Sequence, residues 1–286
     1  MTDRGHPDDA ERFALARPRL LRLAYSELGD LGEAEDVVQE AWLRLQRADA
    51  RVIENLDAWL TTVVGRLALD RLRSARARRE TYVGPWLPEP VPSPDPADRV
   101  TLDESVSYAL LTVLEQLSPA ERTAFVLHDV FDVPFPDVAE VVGRSPEAVR
   151  QLASRARRHV ARASPRFAVS RDEHDHAVRA FARAASGGDL QRLVAVLDPD
   201  VVWTSDGGGR AVVARTPLRG GERVGRAWAA LGRGFTDGPV EVELNGRLGL
   251  VVAGGDGHRA ALSFVVVGGR IARIDAVRNP EKLRRI

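Results

Sequence analysis

Cysteine is absent from this chain of 286 residues, and lysine occurs once, as Lys282. The absence of cysteine excludes disulfides and cysteine-based metal sites, and it is typical of proteins that work in a reducing cytosol. No apolar run approaches the roughly 20 residues that a membrane-spanning helix needs. The start of the chain, residues 1–9, is polar and acidic, unlike a signal peptide. These absences predict a cytoplasmic protein with no membrane partner.

Net charge is also absent, because 41 basic side chains balance 41 acidic ones, yet the charges are segregated along the chain. Residues 66–79 hold six arginines against one acid, and residues 144–171 hold eight arginines against one acid. Residues 81–143 hold two arginines against eleven acids. Two basic segments are typical of two contacts with DNA phosphates, and the acidic middle is typical of a shielding or protein-facing segment. The alternative is that the arginines only complement helix dipoles.

A helix-turn-helix is predicted between Phe135 and Arg158. A short apolar helix precedes Gly143, and Ser145 followed by Pro146 is an N-cap that starts a second helix. Arginine and glutamine are the side chains that favour bidentate contacts with guanine and adenine. The alternative is a solvated face of a structural helix. The residues predicted to face DNA are Ser145, Arg150, Gln151, Ser154, Arg155 and Arg158.

Breakers and hydrophobic periodicity divide the chain into four segments. Residues 10–80 show helical spacing of apolar residues and predict an all-α domain. Residues 81–101 are rich in proline and predict an extended linker. Residues 102–166 predict a second all-α domain, which contains the helix-turn-helix. Residues 172–286 predict an α+β domain, so the fold class is that of a multidomain protein.

The α+β segment is predicted to begin with helices and to continue with strands. Ser170 caps a helix that runs to about Ala185 and ends at Gly187–Gly188, and a second helix covers Leu190–Leu197. A third helix covers Glu222–Leu231. The predicted strands cover residues 201–203, 211–213, 240–244, 248–252, 260–267 and 271–277.

Residues 10–165 resemble an extracytoplasmic-function sigma factor of the sigma-70 family. The resemblance rests on Glu35–Trp42, Ala58–Leu60 and Leu67–Arg73, followed by the helix-turn-helix. It implies that the first domain binds the clamp of core RNA polymerase through Asp36, Gln39 and Glu40. It also implies that the helix over residues 59–73 binds the −10 promoter element through Arg66, Asp70, Arg71 and Arg73, and that the helix-turn-helix reads the −35 element. Many relatives have asparagine where this chain has Arg66, which implies a different −10 preference.

Three further motifs resemble the markers of sigma factors that carry a C-terminal SnoaL-like domain, a cone-shaped fold of helices over a curved sheet. The resemblance rests on Tyr82–Pro90, Asp206–Gly209 and Asn279–Leu283. It implies that the extension regulates the sigma domains in cis. The regulatory residues are predicted to be Trp86, Leu87, Pro88, Asp206, Gly207, Gly208, Gly209, Asn279, Pro280, Lys282 and Leu283. The alternative for the glycines is a plain hairpin turn.

Two other functions remain open from the sequence: a ligand-sensing or enzymatic domain fused to a DNA-binding module, and a stand-alone repressor. An enzyme would draw its acid and base from Asp206, Asp275 and His258. A small ligand would bind inside the cone, against Trp203 and Trp228. His174 and His176 are two residues apart, so they point to different helix faces and make a poor metal pair. The sequence predicts no enzyme, no cofactor and no metal site.

Overall fold

The fold is taken from a computed structural model that describes residues 7–48, 53–79, 82, 84–92, 107–163, 169–187, 189–232 and 238–286. These residues fall into two compact units, one within Met1–Arg78 and Val113–Val160 and the other within Arg79–Thr112 and Ala161–Ile286. The predicted linker residues 81, 83 and 93–101, and Gly188, lie outside the described residues, as do the side chains of Arg76, Arg78 and Arg79.

The first unit begins with three long helices, α1 (Pro7–Leu28), α2 (Leu31–Arg47) and α3 (Leu56–Arg79). Asp30 starts α2, since its side chain accepts a hydrogen bond from the amide of Glu33 at 2.8 Å. The apolar residues of these helices recur at helical spacing, and Leu23, Val37 and Leu60 are among those buried in the core. The helices predicted for residues 10–79 are therefore confirmed in type.

The helix-turn-helix completes the first unit. It follows α4 (Tyr108–Leu114) and α5 (Pro119–Phe125), which continues into a π-helical turn over Val126–Val130. Ser118 and Glu121 form a capping box at the start of α5. Then come α6 (Phe135–Val142) and α7 (Pro146–Ala163), joined by a turn in which Gly143 has φ 71°. Glycine suits this left-handed position because it has no Cβ.

The second unit contains residues 108–112 of α4, three complete helices and a six-stranded sheet among its described residues. The helices are α8 (Arg171–Ser186), α9 (Leu190–Val196) and α10 (Gly221–Gly232). Ser170 caps α8 as predicted, by accepting from the amide of Glu173. The strands are β1 (Leu197–Asp206), β2 (Leu218–Arg219), β3 (Val240–Leu244), β4 (Arg247–Ala253), β5 (Arg259–Val267) and β6 (Arg270–Val277). Their order is β2-β1-β6-β5-β4-β3, and only β1 and β6 pair in parallel.

The two faces of the sheet are covered by different parts of the chain. One face packs against α8, α9 and α10 in a large core that includes Phe181, Trp203 and Trp228. The other face contributes Leu244, Ala261 and Val277 to a smaller cluster with Leu87, Tyr108 and Leu283. The described linker residues and the C-terminal tail therefore form part of the second unit, and the α+β fold predicted for residues 172–286 is confirmed.

The strand predicted over Ala211–Val213 is wrong. These residues lie in a loop between β1 and β2, and the side chain of Val212 is exposed. Leu218 and Arg219 instead pair with Val202 and Trp203 of β1. The run of valines suits a strand by composition, but β propensity depends on available partners, and the edge of β1 is taken by β2. The glycine turn after Asp206 consequently begins a long loop rather than a plain hairpin. Within the described residues, no helix is long and apolar enough to cross a membrane.

Candidate nucleic-acid interface and linker site

The outer face of α7 presents all six residues predicted to read the −35 element. Ser145, Arg150, Gln151, Ser154, Arg155 and Arg158 are exposed. The opposite face carries Val149, Leu152 and Ala156, which are buried. The hydroxyl of Ser145 accepts a hydrogen bond from the amide of Ala148 at 3.3 Å and so caps the helix. The face can therefore approach a DNA groove without unpacking the helix.

Two arginines of this face differ in their protein contacts. The guanidinium of Arg150 lies 5.4 Å from the ring centroid of Phe135 and 3.3 Å from a carboxylate oxygen of Glu147. The guanidinium of Arg155 lies 3.2 Å from the carboxylate of Glu121 in α5. Burial acts to raise the pKa of Glu121, but hydrogen bonds from Ser118 and the charge of Arg155 hold that pKa below its ordinary value. Arg155 thus also supports the start of α5.

The three described arginines predicted to bind the −10 element each meet a carboxylate. Arg71 lies 3.4 Å from Asp36, and Arg73 lies 3.3 Å from Asp70. Arg66 donates to both the backbone oxygen and the carboxylate of Glu140 in α6, the latter at 2.8 Å. Gln39 and Glu40, which are also predicted to contact polymerase, lie on α2. Gln39 is exposed, and the carboxylate of Glu40 accepts a hydrogen bond from Arg44. Exposed ion pairs of this kind contribute about 0–1 kcal/mol each, so other ligands can displace them.

A buried polar contact joins α1 to α5, and the sequence gives no sign of it. Arg122 donates to the backbone oxygen of Ser26 at 3.1 Å and 3.3 Å, and it also pairs with Glu115. Thr123 donates to Glu27 at 3.0 Å. Glu27 is fully buried, which raises its pKa to about 7 against the lowering effects of Arg122 and Thr123. In the sequence, Glu27 and Arg122 look like ordinary surface positions of amphipathic helices.

The carboxylate of Asp206, at the end of β1, binds four donors and is completely buried. One oxygen accepts from the hydroxyl of Tyr82 at 2.5 Å and from the amide of Gly208 at 3.0 Å. The other accepts from the amide of Leu87 at 3.0 Å and from Nζ of Lys282 at 2.7 Å. Burial is the largest cause that raises the pKa of Tyr82, and the hydrogen bond to Asp206 is the second. The hydroxyl of Tyr82 therefore stays protonated and acts as a donor. One side chain therefore binds both the linker and the C-terminal tail.

Lys282 reaches the same place from the C-terminal tail. Its ammonium also donates to the backbone oxygen of Leu87, and it lies 3.8 Å from the ring centroid of Trp86. Lys282 is 5% exposed, so its charge is compensated by Asp206, a carbonyl and an aromatic face instead of by water. We call Tyr82, Trp86, Leu87, Asp206, Asn279 and Lys282 the linker lock.

Asn279 fits the lock because Gly208 has no side chain. A Cβ added to Gly208 would lie 2.4 Å from Cγ of Asn279, and Gly208 has φ +63°. A Cβ on Gly207 would lie 2.3 Å from the backbone oxygen of Ala211. In this position next to Gly208, Asn279 donates from Nδ2 to the hydroxyl of Tyr82 at 3.2 Å, and its Oδ1 accepts from the amide of Glu281. The glycines thus permit a close contact, as well as a turn.

The other predicted regulatory residues lie around the lock. The backbone oxygen of Pro88 accepts from the hydroxyl of Tyr108 at 2.9 Å, and Leu283 packs with Leu87. Gly209 has φ 71°, and Pro280 is half-buried. A second attachment of the linker was not predicted: the side chain of Asn245, in the turn between β3 and β4, accepts from the amide of Val91 at 3.0 Å. The pair Asn245–Gly246 is a sequence signal for the tight turn, and φ is 50° at Asn245, but no local pattern shows that the side chain binds the linker.

The residues predicted as an alternative acid–base pair have structural partners. Asp206 belongs to the lock, and Asp275 accepts two hydrogen bonds from Arg273, at 2.8 Å and 2.9 Å. His258 lies in the turn between β4 and β5. His174 is buried beside the backbone oxygen of Phe264, and this burial lowers its pKa. Among the described residues, no cluster of three or more acids and histidines has an arrangement that suits a metal ion.

Comparisons with known proteins agree with this division of the chain. Residues 13–78 match the family model of sigma-70 region 2, and residues 107–160 match that of sigma-70 region 4. The ECF RNA polymerase sigma factor SigJ of Mycobacterium tuberculosis is 43% identical over 292 residues, covering 96% of this chain and 93% of the relative. A probable ECF RNA polymerase sigma factor of the same species, SigI, is 44% identical over 213 residues, covering 73% of this chain and 72% of the relative.

The fold is also similar to that of a solved relative along its whole length. The crystal structure of the M. tuberculosis sigma factor SigJ superimposes with a TM-score of 0.79 at 40% sequence identity, and the match covers 96% of this chain and 98% of that one. Both sigma regions and the α+β domain fall within this match. The chain belongs to the family of extracytoplasmic-function RNA polymerase sigma factors, the proteins that direct promoter-specific initiation of transcription.

Proposed function

We propose that the C-terminal domain regulates this sigma factor in cis by holding the linker between region 2 and region 4. The observation that carries the proposal is the buried carboxylate of Asp206, which binds Tyr82 and Leu87 of the linker together with Lys282 of the tail. In this role the lock replaces a separate inhibitory protein. Release of the linker is then the regulated step.

Chain connectivity explains why the linker is an effective point of control. The linker is the covalent connection between the region that binds the −10 element and the region that binds the −35 element. While its residues are hydrogen-bonded to the C-terminal domain, they are not available to span the distance between the two DNA elements. The locked state therefore opposes simultaneous binding of both elements, and we expect it to lower transcription.

Buried charge makes the lock cooperative. Asp206 and Lys282 are both shielded from water, so removing either partner strands the other charge at a cost of about 3–5 kcal/mol. The linker amide of Leu87 and the hydroxyl of Tyr82 complete the coordination of the same carboxylate. We infer that the linker is held or released as a whole, since partial release leaves polar groups of the lock without partners.

Within the first unit, residues proposed to bind DNA or polymerase form exposed ion pairs, Arg66 with Glu140 and Arg71 with Asp36. We propose that Arg66 exchanges Glu140 for −10 DNA, and that Arg71 exchanges Asp36 for DNA while Asp36 turns to core polymerase. The exposure of these pairs supports the exchange. Asp70, Arg73, Gln39 and Glu40 keep the roles proposed from the sequence, as does the outer face of α7. Because its partner is RNA polymerase, we propose that the protein acts in the cytoplasm.

We propose further that the C-terminal domain binds and regulates without catalysing a reaction. Asp206 and Asp275 are both engaged in buried hydrogen bonds, so neither is poised to transfer a proton to a substrate. Turnover of a substrate by the full-length protein contradicts this proposal, and loss of that turnover in Asp206→Asn or Asp275→Asn would identify the carboxylate responsible.

The test is transcription reconstituted from core polymerase and the full-length protein on a cognate promoter. Asp206→Asn keeps the shape of the side chain but removes the charge that holds Lys282, and we expect it to raise transcript yield. Asp172→Asn is the matched control, since Asp172 is an exposed acid in the first turn of α8. Unchanged or reduced output from Asp206→Asn, with the fold intact by circular dichroism, contradicts inhibition by the lock.

A further inference from the structure

Arg150 and Arg155, on the outer face of α7, are held by different kinds of contact. Arg155 uses Nε in an ion pair with Glu121, at 3.2 Å. Arg150 lies over the ring of Phe135, the first residue of α6, with Cζ 5.4 Å from the ring centroid. Because a cation is attracted to an aromatic face without giving up an N–H donor, this contact leaves the donors of Arg150 available. The ion pair of Arg150 with Glu147 is exposed, so an acceptor on DNA can displace it.

The ring of Phe135 is itself held by His128. The two rings stack, with their centroids 3.7 Å apart and their planes 28° apart. Nδ1 of His128 lies 2.9 Å from the backbone oxygen of Val133. Because a carbonyl oxygen only accepts hydrogen bonds, Nδ1 carries the hydrogen. This bond orients the imidazole, and the imidazole in turn restricts the ring of Phe135.

The π-helical turn over Val126–Val130 carries His128 and also holds α7 directly. A π-helical turn closes its hydrogen bond over five residues instead of four, and such turns recur at functional sites. Asp129, the next residue in the turn, accepts from Nε of Arg157 in α7 at 2.6 Å. Arg150 and Arg157 are seven residues apart, about two turns of helix, so they lie on the same side of α7. The turn therefore supports α7 at two points, directly through Asp129 and indirectly through the stacked rings.

We propose that Phe135, supported by His128, is a positioning residue for recognition of the −35 element. It presents the guanidinium of Arg150 to a guanine in the major groove, where an arginine donates to O6 and N7. The inference rests on the proposed function, in which the outer face of α7 reads this element.

Restriction of the arginine explains how a residue that does not touch DNA sets base preference. A free arginine side chain loses rotational freedom when it binds a base, whereas a side chain already held by a ring has less freedom to lose. The same restriction keeps Arg150 from turning to a phosphate, a contact that carries no sequence information. The ring of Phe135 therefore raises the preference for guanine at one position of the element.

The test is binding of core polymerase with the full-length protein to promoters that carry each base at each −35 position. Phe135→Leu keeps an apolar side chain but removes the aromatic face. We expect it to lower the preference for guanine about two- to fivefold, the value of an exposed cation–π contact. The loss should fall at the position that Arg150→Ala affects. Phe135→Tyr keeps the ring and should keep the preference.

A double-mutant cycle separates positioning from a general effect on folding. In protein that already carries Arg150→Ala, Phe135→Leu should change base preference no further, because no guanidinium is left to position. Phe131→Leu is the matched control, since Phe131 is a nearby ring that lies below Arg19 of α1, and it should leave base preference unchanged. A loss that persists beside Arg150→Ala, or an equal loss at every −35 position, overturns the proposal.

The support from His128 has its own variant. His128→Asn keeps a donor for the oxygen of Val133 but removes the stacked ring. It should lower the same guanine preference by a smaller factor than Phe135→Leu does. Unchanged preference in His128→Asn overturns the contribution of the stack.

The outcomes separate this inference from the proposed function. If Arg150→Ala relaxes base preference whereas Phe135→Leu does not, base reading by Arg150 stands and its positioning by Phe135 is wrong. If Arg150→Ala changes no base preference, base reading by Arg150 and its positioning are both wrong. Regulation by the lock is tested separately, through transcription by Asp206→Asn.

Discussion

At the residue scale, Gly208 is the position where a single methyl group does most damage to the linker lock. Its positive φ is strained for any other residue, and an added Cβ overlaps Asn279. The strain alone is worth about 1 kcal/mol, whereas the overlap cannot be relieved without moving Asn279 from Tyr82.

Gly208→Ala is therefore expected to open the lock and to raise the acylation rate of Lys282. Gly268→Ala is the matched control, because Gly268 also has a positive φ but has nothing within 4 Å of its added Cβ. Gly268→Ala should lose about 1 kcal/mol of stability in thermal unfolding, from strain alone, whereas Gly208→Ala should lose more because of the overlap with Asn279. Only Gly208→Ala should expose Lys282. Equal acylation of the two variants contradicts a close-contact role for Gly208.

Arg150 and Arg155 allow a second test at this scale. Arg150 is free to leave its exposed partner Glu147, whereas Arg155 also supports the capping box through Glu121. Arg150→Ala should cost about 1–3 kcal/mol of binding free energy at the cognate −35 sequence and should relax base preference at one position. Arg155→Ala should in addition lower thermal stability slightly. Binding of each variant to a series of −35 sequences measures the base preference, and thermal unfolding measures the stability of Arg155→Ala. A uniform loss of affinity across all sequences for Arg150→Ala would reduce the role of Arg150 to phosphate contact.

At the scale of elements, the contact of α1 with α5 depends on the protonation of one buried acid. The pKa of Glu27 rises from 4.5 to about 7 on burial, so the folded protein binds a proton more tightly than the unfolded chain does. The groups that face Glu27 are Arg122 and Thr123 of α5, together with the hydrophobic surroundings. The stabilising contribution is complete below pH 4.5 and is lost as the pH rises through about 7.

Glu27→Gln should flatten this dependence, since glutamine does not titrate. The wild-type protein should lose on the order of 3 kcal/mol of stability between the two pKa values. Urea unfolding at a series of pH values between 4.5 and 7 measures the slope in both proteins. Parallel slopes would show that Glu27 is ionised throughout this range.

At the scale of the whole molecule, the proposal places binding of core polymerase in competition with the lock. If polymerase and promoter need the linker extended, they must draw it away from Asp206 and Lys282. Addition of core polymerase should then raise the acylation rate of Lys282, and promoter DNA should raise it again. The N-terminal amine serves as the internal reference. Protection of Lys282 in the complex would mean that the linker stays bound during initiation.

Local patterns in the sequence were sufficient for much of the fold. Ser118 with Glu121, and Ser170 with Glu173, predict helix starts because a cap and its partner are neighbours in the chain. The alternation within β3 to β6 predicts strands for the same reason. The valines of Ala211–Val213 suggested a strand that does not form, because Leu218 and Arg219 occupy the edge of β1 with which such a strand would pair.

The sequence alone determined most of the elements, the helix-turn-helix and the family, because capping, periodicity and motifs are all local. Only the tertiary structure decided which residues meet. Tyr82, Asp206 and Lys282 converge on one buried carboxylate from three distant segments. Arg66 meets Glu140, and Glu27 is buried against α5, although both look like surface residues of their own helices. Burial and long-range hydrogen bonds arise from packing between elements, and no local pattern encodes them.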